Sequence, residues 1–169
     1  MHRLHRYVCL AVVLVAAGCA AQGTSHVATP PPRPLRQYQT VMVRISSTVA
    51  ATGDVISQLE QLIIRQLQEQ HLFTHVSAPA AHQAFDLTLA VRITGLRRVG
   101  VEDRLQSGPL AGRGILEADV TLIEGKSQQT IAQATVVGKT SVDLLFSGTT
   151  TQAIRRAAEQ VVAFVVQYY

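Results

Sequence analysis

FDLTLAVRIT, residues 85–94, carries the clearest secondary-structure signal in the chain. Every second residue is apolar, and the residues between them include Asp86 and Arg92. A period of two is typical of a strand with one face in the core and the other in solvent. Since a pairing shifted by one residue would bury both charged side chains, the register of this strand is tightly specified.

Other segments of the chain show the same strand period or the period of a helix. Strands are predicted at residues 38–45, 72–76, 114–124 and 130–139, and amphipathic helices at residues 55–70 and 149–168. Two packed layers would bury every apolar stripe of these elements. We therefore predict an α+β fold, a two-layer sandwich over residues 38–169. Its mostly antiparallel sheet of four to five strands packs two helices on one face, in the order β-α-β-β-β-β-α.

The amino terminus has the layout of a secretory signal. A basic head at residues 2–6 precedes an apolar core at residues 8–17, which is too short to span a bilayer as a helix. Small residues at 16–18 come directly before Cys19, and this arrangement resembles the lipobox of bacterial lipoproteins. The resemblance implies that residues 1–18 are a signal peptide and that Cys19 carries a diacylglycerol and a third acyl chain. An ordinary signal peptide with an incidental cysteine is the alternative.

Lipidation would determine where the protein works. Each buried methylene contributes about 0.8 kcal/mol to membrane binding, so three acyl chains hold a protein on the bilayer permanently. The residue after the cysteine is Ala20 and not Asp, which resembles the outer-membrane default of Gram-negative lipoproteins. We expect a lipid anchor in the cell outer membrane, with the domain facing the periplasm. Cys9 would leave with the signal, so the mature chain has no disulfide.

Residues 20–37, AAQGTSHVATPPPRPLRQ, show no apolar periodicity and contain four prolines. Proline removes backbone donors and favours the polyproline II conformation. We interpret residues 19–37 as the lipidated cysteine and a tether. At about 3.1 Å per residue, the tether could hold the domain about 55 Å from the bilayer. The tether either lets the domain reach a periplasmic partner or is a plain spacer, and both interpretations are open.

A longer irregular segment, LRRVGVEDRLQSGPLAG at residues 96–112, interrupts the strand pattern. A loop of this length in a compact domain is either functional or mobile. Its charged residues are the candidate partner-binding residues: Arg97, Arg98, Glu102, Asp103 and Arg104.

Residues that carry a family resemblance are spread over most of the chain. They are His71-Leu72-Phe73 with Val76, Asp86-Leu87 with Leu89 and Val91, Gly108 with Ala111-Gly112-Arg113, Ile131-Ala132 with Ala134, Val136 and Gly138, and Ala153-Ile154 with Ala157-Ala158. Over residues 38–168 the chain resembles the domain of unknown function 4410 family of bacterial lipoproteins. Most of these positions are core positions, and the family implies no catalytic residues.

Residue types that could carry chemistry are few. The adjacent carboxylates Glu102 and Asp103 could serve a hydrolase, but the arginines beside them favour a solvated charge cluster. His71 and His75 are four residues apart, a spacing that could hold zinc on one helix, but the predicted helix ends at Gln70. We predict no catalytic residue, no metal ligand and no cofactor.

Net charge does not indicate a nucleic-acid partner. The formal charge of the chain is +4, and removal of Arg3 and Arg6 with the signal leaves 13 basic against 11 acidic residues. An excess this small is too weak to favour nucleic acid. The predicted partners are the membrane, through acyl chains on Cys19, and an envelope protein or further copies of the chain.

These observations favour a membrane-anchored periplasmic lipoprotein of unknown specific role. We expect a non-catalytic binding or assembly module for an envelope protein complex. The alternative is a small-ligand or glycan-binding envelope lipoprotein that uses a cleft between the helices and the loop. The chain has no tryptophan, which disfavours a groove that stacks sugars. An envelope hydrolase acting through Glu102 and Asp103 is the third hypothesis.

Overall fold

The computed structural model of the protein describes residues 23–80, 83–107, 112–140 and 149–169. Its elements, in chain order, are β1 (Gly23–Thr29), a short 3-10 helix (Leu35–Gln37), β2 (Thr40–Ser47), α1 (Gly53–Glu69), β3 (His75–Ser77), β4 (Leu87–Arg97), α2 (Val101–Ser107), β5 (Ile115–Glu124), β6 (Thr130–Lys139) and α3 (Thr150–Gln167). The predicted lipidation site, Cys19, lies outside the described residues.

All of these strands belong to one mixed sheet. Its order is β1-β6-β5-β4-β2-β3. The pairs β1–β6, β6–β5 and β5–β4 are antiparallel, whereas β2 runs parallel to both β4 and β3. Strand β1 therefore begins at the end of the sheet where β4 and β6 end. Strands β2, β3 and β4 begin at the opposite end.

The predicted fold class is wrong in three respects. The described sheet has six strands instead of four to five, its pairing is mixed, and three α-helices accompany it instead of two. The parallel pairs arise because α1 carries the chain back to the end of the sheet at which β2 began. The next strand then runs in the same direction as β2, as in any strand–helix–strand connection.

The additional strand, β1, lies in the segment interpreted as a tether. Residues 23–29 pair with β6, with Gly23 opposite Gly138 and a register shift between Val27 and Thr29. Leu35, within the same segment, is fully buried, and its backbone N–H donates to the Tyr168 carbonyl over 2.8 Å. The ordered sheet thus begins well before Tyr38, because backbone pairing can hold an edge strand that has no apolar alternation.

The core lies between one face of the sheet and the two longer helices. The inward residues of β4 are buried, as the alternation at residues 85–94 predicts: Leu87, Leu89, Val91 and Ile93. Helix α1 packs against β2 and β3, and α3 packs against β6, β5 and β1. The other face of the sheet is open to solvent and carries polar side chains such as Arg44, Arg92 and Thr135.

Helix α3 approaches β6 more closely than side chains would normally permit. A Cβ atom at Gly138 would overlap the carbonyl oxygen of Ala153 and lie 2.5 Å from the Ala157 nitrogen. Ala153 and Ala157 are themselves fully buried. Backbone therefore lies directly on backbone at this point, and only glycine fits the strand position.

We predict that Gly138→Ala lowers the free energy of unfolding by about 1–3 kcal/mol, because the added methyl group must push α3 away from β6. Chemical denaturation measures the change. Gly53→Ala is the matched control, since a Cβ atom there meets no other atom within 4 Å. A Gly138→Ala protein as stable as the Gly53→Ala protein would contradict the close approach.

Candidate functional site

The segment predicted as an irregular loop is partly regular. Strand β4 continues to Arg97, and residues 101–107 form helix α2. Between them, Val99 is 2% exposed, and its backbone N–H donates to Thr150 Oγ1 over 3.0 Å. The Thr150 N–H donates in turn to the Val99 carbonyl over 3.1 Å. The segment is therefore joined to the start of α3 instead of lying free in solvent.

The two arginines before α2 are held close to neighbouring backbone. Arg98 Nη2 donates to the carbonyl of Ala50 and to Thr52 Oγ1, each over 3.4 Å. The Arg97 guanidinium lies beside Gly112, where a Cβ atom would come within 2.7 Å of Arg97 Nη2. Gly112 has φ +81°, a left-handed conformation that favours glycine. Both arginines remain exposed.

Helix α2 presents an apolar face that the sequence analysis missed. Val101 and Leu105 are 58% and 67% exposed, and their spacing of four residues puts them on one side of the helix. Glu102 is exposed as well. Asp103 and Arg104 belong to the same helix, but their side chains lie outside the described part. The four-residue spacing is the signal that could have revealed this face.

Helix α2 lies at the end of the sheet where β1 begins, which we call the α2 end. The register places Arg97 opposite Ile115, Ile115 opposite Lys139, and Gly23 opposite Gly138. Exposed cations at the α2 end are Arg97, Arg98, Arg113 and Lys139. Of the predicted partner-binding residues, Arg97 and Arg98 thus share this end of the sheet with two further cations.

A second candidate site, a cleft of about 170 Å³, lies at the opposite end of the sheet. Its lining residues are Gln37, Tyr38, Asp86, Glu124 and Lys126. Two carboxylates, a phenol and an amine in one cleft could in principle serve acid–base chemistry. Whether they can do so depends on which groups are already engaged within the fold.

Asp86 binds the start of β2 through one carboxylate oxygen. Its Oδ2 accepts from the Gln39 N–H over 3.0 Å and from the N–H and Oγ1 of Thr40 over 3.1 Å each. These bonds hold the pKa of Asp86 below its ordinary value, and the bond from the Gln39 N–H has the largest effect. The Asp86 carbonyl also accepts from the Gly125 N–H over 2.7 Å. Asp86 therefore joins β2, β4 and the turn after β5.

Glu124 is engaged in the same way. Its Oε2 accepts from Ser127 Oγ over 2.6 Å, and its Oε1 accepts from the Tyr38 hydroxyl over 3.0 Å. The Ser127 bond, followed by the Tyr38 bond, lowers the pKa of Glu124. Burial and then the Glu124 carboxylate raise the pKa of Tyr38. Both carboxylates are held ionised by internal donors, so neither is suited to act as a general acid, and these hydrogen bonds stabilise the fold.

The histidines considered as zinc ligands lie in different elements. His71 follows the last turn of α1 with φ +53°, the left-handed conformation that commonly ends a helix. His75 begins β3 and stacks on Phe85 at a ring-centroid distance of 6.2 Å. Within residues 23–80, 83–107, 112–140 and 149–169, no three histidine, cysteine or acidic side chains come together as a metal-binding group.

Among the described helices, none combines the length and hydropathy needed to cross a membrane.

Two solved structures of low sequence identity share this fold. Two crystal structures of PelC dodecamers from Paraburkholderia phytofirmans, one of them a point variant, superpose with TM-scores of 0.57 and 0.55. Each is 18% identical and covers 86% of this chain and 95% of the PelC chain. A Xanthomonas campestris protein of the DUF330 family is 14% identical over 81% of this chain and 87% of its own, with a TM-score of 0.48. No curated protein matches the chain in sequence.

The family follows from the sequence itself. Residues 46–142, more than half of the chain, match the family model described as Domain of unknown function (DUF4410). The chain belongs to the DUF4410 family, which confirms the family predicted from the residues quoted above.

We predict that Asp86→Asn lowers the free energy of unfolding at neutral pH by about 1 kcal/mol, since a neutral amide accepts more weakly than a partly exposed carboxylate. The pKa of Asp86 is lower in the folded protein than in the unfolded chain. Its stabilisation is therefore complete above the unfolded pKa of about 3.9 and is lost as pH falls through the folded pKa.

Urea unfolding as a function of pH measures both effects. The variant should lose less stability than the wild type as the solution is acidified below about pH 5. Glu102→Gln, at an exposed carboxylate of α2, is the control and should follow the wild-type curve. Equal acid sensitivity of Asp86→Asn and the wild type would show that the β2 contact contributes nothing.

Proposed function

We propose that the protein is a lipid-anchored, non-catalytic module of the cell envelope that assembles from several copies of its own chain. The observation that carries this proposal is the fold shared with PelC, a dodecamer, over 86% of this chain and 95% of that one. An identity of 18% shows the fold alone, so self-assembly of this chain is our inference from it.

The edges of the sheet are suited to contact between copies. Strand β1 is an edge strand with largely exposed side chains and contains neither lysine, arginine, acid nor proline. Natural edge strands are usually protected from further pairing by charges or prolines. The other edge, β3, is three residues long. An unprotected edge on one side and a short edge on the other favour head-to-tail contact, which closes into rings when the rotation permits.

Membrane attachment is supported by the sequence before β1. The small residues at 16–18 and Cys19 resemble a lipobox, and Ala20 resembles the outer-membrane default. The proposed location is therefore the outer membrane, with the domain in the periplasm. A lipid anchor also raises the local concentration of copies, which favours self-assembly.

The absence of an enzymatic role is proposed from the state of the cleft. Asp86 and Glu124 use their oxygens in bonds to backbone, serine and tyrosine donors. A hydrolase that used either carboxyl group as its general acid would need that group free and its pKa raised. The hydrolase hypothesis gains no support from Glu102, which is exposed to solvent on α2.

A second candidate function, binding of a small ligand or glycan, is favoured by a groove of about 420 Å³. The groove lies where the proline-rich segment meets the last residues of the chain. Its lining residues are Pro31, Pro32, Arg33, Pro34, Arg36, Gln167, Tyr168 and Tyr169. Two arginines beside two tyrosines suit an anionic ligand with a flat or apolar body. The groove is not the cleft between helices and loop that the sequence predicted.

We predict that the purified full-length protein in detergent is a complex of more than two copies. Lysines at two positions of the edge strand, Thr24→Lys with His26→Lys, should reduce the assembly because like charges then oppose pairing at this edge. Mass measurement of the intact complex reports the number of copies. Gln133→Lys with Thr135→Lys, exposed positions on the adjacent interior strand β6, is the matched control. A wild-type monomer at micromolar concentration would contradict self-assembly.

We predict that Cys19→Ser abolishes acylation and releases the protein from the membrane fraction, because serine offers no sulfur for the thioether bond. Mass spectrometry of the mature amino terminus and membrane fractionation are the measurements. Cys9→Ser is the control and should behave as the wild type, since Cys9 lies within the proposed signal peptide. Unchanged processing and fractionation of Cys19→Ser would overturn the lipid anchor.

A further inference from the structure

We propose that the α2 end of the fold lies on the membrane surface and that Val101 and Leu105 enter the interfacial layer of the bilayer. This inference rests on the lipid anchor at Cys19 proposed above. It adds the orientation of the domain and identifies the residues that contact lipid.

The length of chain between the anchor and the sheet is the first argument. Strand β1 begins at Gly23, and only Ala20, Ala21 and Gln22 separate it from Cys19. A chain spans at most about 3.6 Å per residue, so Gly23 lies within about 14 Å of the acylated residue. This limit is far shorter than the tether predicted from the prolines, which lie after β1. The folded domain is therefore held against the bilayer.

The position of Gly23 in the sheet determines which end is held there. Gly23 pairs with Gly138 at the end of β6, and β6, β5 and β4 follow in order across the sheet. Adjacent strands are about 4.8 Å apart, so the end of β4 lies about 14 Å to the side of Gly23. Helix α2 begins four residues after Arg97. The attachment point and α2 thus share one end of the molecule.

The chemistry of the α2 end fits a bilayer surface. Val101 and Leu105 form an exposed apolar pair on one side of α2, the arrangement of a helix that lies in a membrane interface. The exposed cations Arg97, Arg98, Arg113 and Lys139 are at the same end of the sheet. Three exposed carboxylates, Asp54, Glu102 and Glu117, are at or near the same end, so the four cations are in slight excess among the side chains described there. Basic residues beside an apolar face bind anionic lipid head groups.

The opposite end of the molecule provides an internal comparison. Val166 is also a large apolar residue with a substantial exposed fraction, 41%. It lies near the end of α3, whose first residues are at the α2 end, and thus at the far end of the sheet. Each end of the molecule therefore exposes a large apolar side chain, whereas only the α2 end is close to the proposed anchor.

The experiment uses the acylated full-length protein in vesicles of phosphatidylethanolamine and phosphatidylglycerol. Leu105→Cys and Val166→Cys each introduce the only free thiol of the mature chain, which is labelled with an environment-sensitive fluorophore. Quenchers attached to lipid head groups and a water-soluble quencher are then compared. We expect lipid quenching at position 105 to exceed that at position 166 several-fold, with a blue shift only at position 105.

Two results would overturn the orientation. The first is equal lipid quenching at the two positions, or stronger quenching at position 166. The second is a label at position 105 protected from both quenchers, because the face of α2 would then be covered by protein. Mass spectrometry of the same samples separates the two proposals. An unmodified Cys19 would overturn the lipid anchor itself, whereas an acylated Cys19 without lipid quenching at position 105 would overturn only the orientation.

Discussion

Direct contact between the backbones of α3 and β6 is the constraint on which the rest of this fold depends. Gly138 provides the space, and Ala153 and Ala157 bring the helix down onto the strand. Because α3 also contacts β5 and β1, the distance between α3 and the sheet sets the position of the edge strand as well as that of the core. At Gly23 a Cβ atom would already collide with the Gln160 side chain. Gly138, Ala153 and Ala157 are among the residues quoted for the family resemblance, so part of that pattern follows from this packing requirement.

The sequence predicted most individual elements but not how they pair. Alternation at residues 85–94 identifies a strand and its buried face, yet it contains no information on the direction of the neighbouring strand. The parallel pairing of β2 with β4 depends on the crossover through α1 and on Asp86, which binds the first N–H groups of β2. Strand β1 left no pattern, because an edge strand held mainly by backbone bonds buries few side chains. The prolines that suggested a tether follow this strand and lead into the buried Leu35.

The candidate site, too, could be predicted from the sequence only in part. Charged residues at 97–104 were found because charge is visible in a sequence, and the exposure of Arg97, Arg98 and Glu102 is what solvation predicts. The apolar pair Val101 and Leu105 was missed for a physical reason: such a pair on a short helix ordinarily faces a core, and only the structure shows that this one faces outward. For the cleft, the residue types are visible in the sequence but their contacts are not. Asp86 and Glu124 appear in the sequence as ordinary strand-end acids, and their hydrogen bonds to residues distant in sequence could be seen only once the strands were paired.

Orientation and self-assembly constrain each other. If every copy is anchored through Cys19 and rests on its α2 end, all copies in one assembly must present that end to the same bilayer. Cyclic symmetry about an axis normal to the membrane satisfies this requirement, whereas dihedral symmetry directs half of the α2 ends away from the membrane. The edge strands β1 and β3 run along the sheet between its two ends, so contacts through them lie beside the membrane instead of within it. A membrane-anchored assembly of this chain is therefore expected to be a ring, with an apolar pair from each copy facing the lipid.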